Sequence, residues 1–218
     1  MEVRIVKRPA RKPASGRDPA RTRAAILAAA TAEFTAKGLK GARVDAIARR
    51  SGANKRMIYH YFGDKQGLYL AVLETTYAAI RTAEIGLHVT DRDPVDGMRV
   101  LIEFTWSYFI AHPEFLSLLA TENLNRAAYL KKSRRIRDLH SPLVGMISTL
   151  LERGAASGVF RMRVDPVQLY ITIAALGFFY MSNRHTLSTI FGRDFNARDE
   201  LDRRGTHIVD VVLAYLRP

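Results

Sequence analysis

Apolar positions recur every three to four residues along most of the chain, and Gly and Pro fall between these periodic segments. That period is typical of amphipathic helices, whereas a half-buried strand alternates apolar and polar positions. No stretch repeats another. The pattern therefore predicts an all-α protein.

Four helices are predicted in the first third of the chain. Asp18, followed by Pro19, provides an N-terminal cap for the first helix, and Gly38 ends it. Ser51 and Gly52 form a tight turn between the second and third helices. The predicted helices cover residues 19–38, 44–50, 55–62 and 64–81.

The rest of the chain predicts a second, larger helical body. Prolines and Gly158 mark the boundaries between its helices, because the residue before a proline disfavours the helical conformation. The helix that begins at Pro166 is apolar on nearly all sides and needs partners on most of them. The predicted helices cover residues 94–111, 114–125, 141–157, 166–184 and 199–216.

Composition excludes several classes of protein. With 218 residues, of which 48% are hydrophobic and 25% charged, the chain is not mainly disordered. The absence of cysteine excludes disulfides, thiolate metal sites and thiol catalysis, and we expect no cofactor. The longest apolar stretch, residues 169–181, is too short to cross a bilayer. The basic N-terminus has no apolar core, so we expect a cytoplasmic protein without a membrane partner.

The charge is concentrated at one end of the chain. Residues 1–65 hold 16 Lys and Arg against 5 Asp and Glu, whereas residues 66–218 hold 18 against 16. Residues 1–18 combine six basic residues with Pro and Gly, which is typical of a flexible basic arm. A positive end on a near-neutral body suits a polyanion, and charge alone leaves nucleic acid and an anionic membrane surface open.

Two short helices joined by a tight turn, after a supporting helix, form a helix-turn-helix arrangement. Its second helix can lie in the DNA major groove, although similar hairpins also occur as ordinary core elements. Here the second helix, residues 55–62, is basic and aromatic. This composition favours double-stranded DNA as the partner.

The run from Val44 to Tyr69 resembles the helix-turn-helix region of the TetR (tetracycline-repressor) family of bacterial transcription regulators. The similarity covers roughly residues 19–80 and rests on Ile47-Ala48, the small residue and Gly at the turn, Ile58-Tyr59, and Phe62. Lys65 and Leu68 opening the fourth helix, with Phe34 and Gly38 upstream, also match. The resemblance implies a three-helix DNA-binding domain over residues 19–65 and a helical effector-binding and dimerisation domain over residues 66–218.

The resemblance also implies which residues contact DNA. The third helix would line the major groove, with Tyr59 on a phosphate, and Arg56 has the geometry to bond guanine O6 and N7. Lys65 at a helix start forms an anion site, while Arg43 replaces the family's usual Ser or Thr cap. The candidate DNA-binding residues are Arg43, Lys55, Arg56, Met57, Tyr59, His60, Tyr61 and Lys65.

For the second domain the resemblance implies a small-molecule effector and a homodimer. Aromatic and soft side chains are available to line a pocket, although core packing explains each of them equally well. The last two predicted helices are suited to a four-helix dimer interface, which would set two recognition helices on a palindromic operator. The candidate effector-binding residues are Trp106, Phe109, Met146 and Phe178.

Two other function classes compete with this interpretation. A helical enzyme is disfavoured because the chain has no HExxH, GxSxG, Walker A or GxGxxG motif and no histidine pair with metal-ligand spacing. A non-specific nucleoid-type protein would share salt-dependent DNA binding but not a preference for one short palindrome. The sequence therefore predicts a sequence-specific regulator, most simply a repressor that its effector releases from DNA.

Overall fold

The computed structural model describes residues 18–218, apart from the side chains of residues 140 and 141; the predicted basic arm, up to residue 17, lies outside this range. Every regular element within it is helical, which confirms the predicted all-α class. Two short 3-10 turns lie at Val89–Asp91 and Leu130–Lys132. The nine α-helices of the described chain are α1 (Pro19–Gly41), α2 (Val44–Ser51), α3 (Lys55–Phe62), α4 (Lys65–Ile85), α5 (Pro94–Ala111), α6 (Pro113–Leu124), α7 (Arg134–Ala156), α8 (Pro166–Phe191) and α9 (Arg198–Leu216).

The predicted caps define the first four helices. Side chains of Asp18, Asn54 and Asp64 accept hydrogen bonds from backbone amides in the first turns of α1, α3 and α4, at 2.7–2.9 Å. Gly52 ends α2 with φ of 66°, a left-handed conformation that glycine adopts without strain. The helix-turn-helix spacing seen in the sequence is therefore present in the fold.

Gly38 interrupts α1 without ending it. Its φ of 63° and ψ of 176° break the helical geometry at the predicted end, and one further turn continues to Gly41. The amide of Ala42 then donates to the Gly38 carbonyl at 3.1 Å. The chain thus turns into α2 through a kink and a short extra turn.

Two predicted boundaries in the second body are wrong. The helix expected to start at residue 141 begins at Arg134, so that Pro142 lies inside α7. Ser133 caps this earlier start by accepting the amide of Ile136 at 3.2 Å, and burial of Ile136 stabilises the added turns. Helix α8 extends past the predicted residue 184 to Phe191, where Gly192 ends it with φ of 63°.

A continuous apolar core connects the helix-turn-helix to the second body. Helix α1 packs on α2, α4 and α6, while α4 packs on α7 and α5 packs on both α8 and α9. Helix α4 belongs to both regions, since Leu68 packs in the first and Tyr77 makes an edge-to-face contact with Phe115 of the second, at 5.4 Å between ring centroids. Among the described residues, no helix is long and apolar enough to span a membrane.

Candidate nucleic-acid interface

Burial of one side of α2 and α3 leaves the other side of α3 exposed. Ile47 and Ile58 are fully buried and Phe62 nearly so, which fixes α2 against α1 and α3 against α2 and α4. The polar side chains of α3 lie on the opposite side, and 46% of the surface of Tyr59 is exposed. The helix therefore presents a rigid basic and aromatic surface of the kind that enters a major groove.

The two cations at the start of α3 differ in their surroundings. Both Lys55 and Arg56 are exposed, but Lys55 Nζ lies 2.5 Å from Asp45 Oδ1 of α2. A hydrogen bond to Asp45 raises the pKa of Lys55 above its usual range, and the attraction of the carboxylate adds to this. Asp45 was not among the predicted site residues, yet it pairs with a proposed DNA-contacting group in the free protein.

The remaining predicted residues of α3 are not equally exposed. Tyr59 and His60 face outward, whereas Met57 and Tyr61 are half-buried. The Tyr61 ring packs against the core and lies 5.4 Å from the His60 ring, centroid to centroid. Tyr61 thus combines support of the helix with a partly exposed edge, unlike Tyr59.

Arg43 occupies the N-cap position of α2 without a side-chain capping bond. Its amide instead donates to Glu33 Oε1 of α1 at 3.2 Å, and the same oxygen accepts Lys37 Nζ at 2.9 Å. The bond from Lys37 is the main reason that the pKa of the buried Glu33 is lowered. The sequence gives one indication of this contact: the carboxylate of Glu33 lies between Ala30 and Phe34 on the apolar stripe of α1.

Lys65 is the first residue of α4 and is half-buried. Its ammonium donates to the Lys40 carbonyl at the end of α1, at 3.3 Å between Nζ and O. An ammonium has three donors, so this bond leaves others for a phosphate. Lys65 therefore connects α1 and α4 at the place where it was expected to bind an anion.

A recess of about 550 Å³ lies beside α2, next to the predicted surface. Lys37, Arg43 and Arg49 line it together with Asp45 and small alanines. Lys37 and Arg49 were not among the predicted residues, because their places on α1 and α2 give no period-based signal. They extend the basic surface from α3 toward α1.

The predicted effector-binding residues lie mainly in the core. Trp106 is buried and its indole donates to the Leu201 carbonyl at 3.1 Å, while Phe109 stacks on Phe115 at 6.1 Å between centroids. Both rings lie close to Gly177 of α8, where an added Cβ would approach Phe109 to 3.0 Å. Met146 on α7 and Phe178 on α8 are half-buried against the same core.

A second recess, of about 420 Å³, lies between α5 and α9. Trp106 and Gly205 line it, and its other walls are largely polar, including Arg99, Glu103 and Asp202. Of the four predicted effector-binding residues, this recess includes Trp106. The described residues contain no cluster of three or more His, Cys, Asp or Glu side chains positioned to hold a metal ion.

Helices α8 and α9 leave large apolar side chains exposed. Phe179 on α8 is 61% exposed, and Tyr215 on α9 is 47% exposed. Apolar groups of this size on adjacent helices are typical of a surface that another protein chain covers. The large exposed apolar residues of the two helices are Val167, Ile171, Phe179, Ile190, Phe191, Val211 and Tyr215.

Two family models match the chain. The model described as "Bacterial regulatory proteins, tetR family" matches residues 26–72. A second model, "Tetracyclin repressor-like, C-terminal domain", matches residues 94–212, which is more than half of the chain. The first match includes α2, α3 and the start of α4.

Full-length relatives show the same similarity. The chain is 40% identical over 197 residues to the HTH-type transcriptional repressor NicS of Pseudomonas putida, covering 90% of this chain and 93% of the relative. It is 30% identical over 201 residues to the HTH-type transcriptional repressor SCO4008 of Streptomyces coelicolor, covering 90% and 99%. Among solved structures, the transcriptional regulator SCO4942 of Streptomyces coelicolor superposes with a TM-score of 0.68 at 26% identity, covering 90% and 99%.

Proposed function

The chain belongs to the TetR family of bacterial DNA-binding transcription regulators, and from this premise we propose that it represses transcription as a homodimer on a palindromic operator and leaves DNA when a small-molecule effector binds. Members of this family are regulators and not enzymes, so the enzyme alternative is excluded. Two relatives that cover nine-tenths of the chain are named repressors, which supports the same sign of regulation here.

The exposed face of α3 is the observation that carries the DNA-binding proposal. Arg56 projects from its N-terminal turn and reads base edges, while Tyr59 and Lys65 bind phosphates. Lys55 contributes once Asp45 releases it, and Arg43, Met57, His60 and Tyr61 complete the surface. We assign this activity to residues 19–65, and the first family-model match, residues 26–72, falls across that domain.

The dimer is proposed to form through α8 and α9. Each protomer has exposed apolar side chains on these two helices, and a two-fold axis would set the same surfaces against each other as a four-helix interface. Two copies of α3 would then face DNA about one helical turn, or a larger spacing, apart. A two-fold symmetric operator follows from that arrangement.

The effector is proposed to act within residues 66–218, among helices that carry Trp106, Phe109, Met146 and Phe178. Helix α4 extends from Lys65, beside the DNA-binding surface, into the interior of this domain. A ligand that binds better to one position of α4 than to the other shifts the population of DNA-binding conformations. Release therefore requires a difference in effector affinity between two states and no direct contact with DNA.

The test is to measure DNA binding of three matched cation-to-alanine variants. Arg56→Ala is expected to weaken binding to the protein's selected operator by about 10- to 100-fold, equivalent to 1–3 kcal/mol, with little change on unrelated duplex. Lys65→Ala is expected to weaken binding to both duplexes, and Arg92→Ala, an exposed cation outside this surface, to neither. Equal losses on operator and unrelated duplex for Arg56→Ala would contradict the base-reading role.

A further inference from the structure

An ion pair is buried inside the second body on the inward side of α4. Arg81 and Glu84 each have 2% of their side-chain surface exposed, and Arg81 Nη1 lies 2.9 Å from Glu84 Oε2. Charged side chains are almost never fully buried unless they are paired, because burial removes their hydration. The pair is therefore costly to the fold and calls for a functional explanation.

The pair is also incompletely hydrogen-bonded. Arg81 Nε and Nη1 and Glu84 Oε2 are buried without a hydrogen-bond partner among the described residues, since the close Nη1 to Oε2 approach is poorly aligned for a bond. Buried polar atoms in native proteins nearly always have partners. The guanidinium therefore has donor capacity that no described residue uses.

Aromatic side chains from three helices surround this guanidinium. The Tyr170 ring of α8 lies over Arg81 at 5.6 Å from ring centroid to guanidinium carbon, and Tyr170 is half-buried. Tyr77 of α4 and Tyr108 of α5 are buried nearby, and burial raises the pKa of both, to about 12 for Tyr77. Flat, uncharged rings thus border a cation, and Tyr170 is the bordering side chain that reaches solvent.

We propose that Arg81 anchors the carboxylate of a small monocarboxylic effector, which enters by displacing the Tyr170 ring, and that Glu84 is the internal competitor for that anchor. This inference rests on the proposed effector-controlled function and names the chemical class of its ligand. A planar guanidinium with unused donors matches a carboxylate in a two-bond geometry. A dianion is disfavoured, because Arg81 supplies one positive charge and Glu84 already supplies a negative one.

The competition makes effector binding depend on pH. Burial raises the pKa of Glu84 to about 7, against the opposing effect of Arg81. Below that pH Glu84 is protonated, and Arg81 is available to the effector carboxylate. Above that pH the ionised Glu84 competes with the effector for Arg81 and repels the effector carboxylate. The affinity for a carboxylate is therefore expected to rise as the pH falls from 8 to 6, with uptake of one proton.

The side chains that pack around Glu84 are mainly aromatic and apolar. Helix α7 contributes apolar side chains to the interior, including Leu143, Ile147 and Leu150. Glu122 of α6 acts on Tyr77 but is not among the groups that shift Glu84. The titratable groups that border the pair are Tyr77 from α4, Tyr108 from α5 and Tyr170 from α8.

The test is calorimetric titration of the full chain with hexanoate, benzoate and phenylacetate, each compared with its uncharged amide. At least one acid is expected to bind at one site per protomer, at least tenfold more tightly than its amide, and more tightly at pH 6 than at pH 8. Glu84→Gln is expected to tighten binding of that acid at pH 8 about tenfold and to remove the pH dependence. A purely structural pair would give no such gain.

Loss of Arg81 requires a variant that leaves no unpaired buried charge. The double substitution Arg81→Met with Glu84→Gln removes both charges, and it is expected to remain folded by circular dichroism and to bind neither acid nor amide. Failure of all three acids to bind the wild-type chain, or weaker binding by Glu84→Gln, would overturn the proposal. Operator release is measured separately, so an acid that binds through Arg81 without releasing DNA would refute the proposed induction and leave the carboxylate site intact.

Discussion

Replacing Phe179 by alanine tests the proposed dimer through one of its most exposed rings. Residue Phe179 on α8 is 61% exposed in the single chain. A phenylalanine contributes roughly 200 Å² of buried surface when covered, so about 120 Å² per protomer would be buried on dimerisation. At about 25 cal/mol per Å² this amounts to about 3 kcal/mol per protomer.

Symmetry doubles the effect of the substitution. Each dimer loses two rings, and the sum of about 6 kcal/mol is an upper bound, because association also orders side chains at the interface. We therefore expect Phe179→Ala to raise the dimer dissociation constant by about 10²- to 10⁴-fold, since each 1.4 kcal/mol is a factor of ten. Operator binding at protein concentrations below the new constant should fall in parallel.

The assay is analytical ultracentrifugation of fluorescently labelled protein over a dilution series. Leu124→Ala provides the matched control, because Leu124 at the end of α6 is 87% exposed and lies outside α8 and α9. The control is expected to keep the wild-type constant. If Phe179→Ala changes the constant less than threefold, or no more than Leu124→Ala does, this face is not the dimer interface.

Three further predictions address stability, DNA binding and pH. Gly154→Ala should lower the free energy of unfolding by about 1–3 kcal/mol in denaturant titrations, because the new Cβ would overlap the Phe160 ring. Gly145→Ala on the same helix is the control: its Cβ meets no atom within 4 Å, and it should raise the free energy of unfolding by about 0.5–1 kcal/mol. Asp45→Asn should strengthen binding to operator and unrelated duplex alike in fluorescence anisotropy, because it frees its lysine partner on α3; unchanged affinity would contradict this. Burial raises the pKa of Glu84 to about 7, so the free energy of unfolding should be highest below about pH 4.5 and should fall by about 3 kcal/mol by pH 8. This fall should be absent in Glu84→Gln. Parallel curves of unfolding free energy against pH for the two proteins would argue against this role of Glu84.

Local signals made the helix-turn-helix predictable. Asp18, Asn54 and Asp64 each accept a hydrogen bond from a backbone amide within three residues along the chain, so these helix caps can be identified from the local sequence. The start of α7 is different, because burial of Ile136 by distant helices outweighs the local cost of Pro142. A proline boundary is a local rule, and tertiary packing overruled it.

The same distinction applies to the candidate sites. Exposure of Lys55, Arg56 and Tyr59 follows from the helical period once Ile58 is assigned to the core. The pairing of Lys55 with Asp45 required the angle between α2 and α3, which no spacing encodes. The buried pair on α4 was missed for a similar reason, since charged residues on a helix are expected at the surface until neighbouring helices cover them.

The central claim is that two copies of α3 recognise a symmetric DNA site. The most direct measurement is selection of bound duplexes from a random-sequence pool by the purified full chain at near-physiological salt. We predict that the wild-type protein enriches one two-fold symmetric site. Arg56→Ala is predicted to enrich the same symmetric site, but with a relaxed base preference at matching positions of its two halves. Binding without enrichment of any site would contradict the account and favour a non-specific nucleoid-type protein.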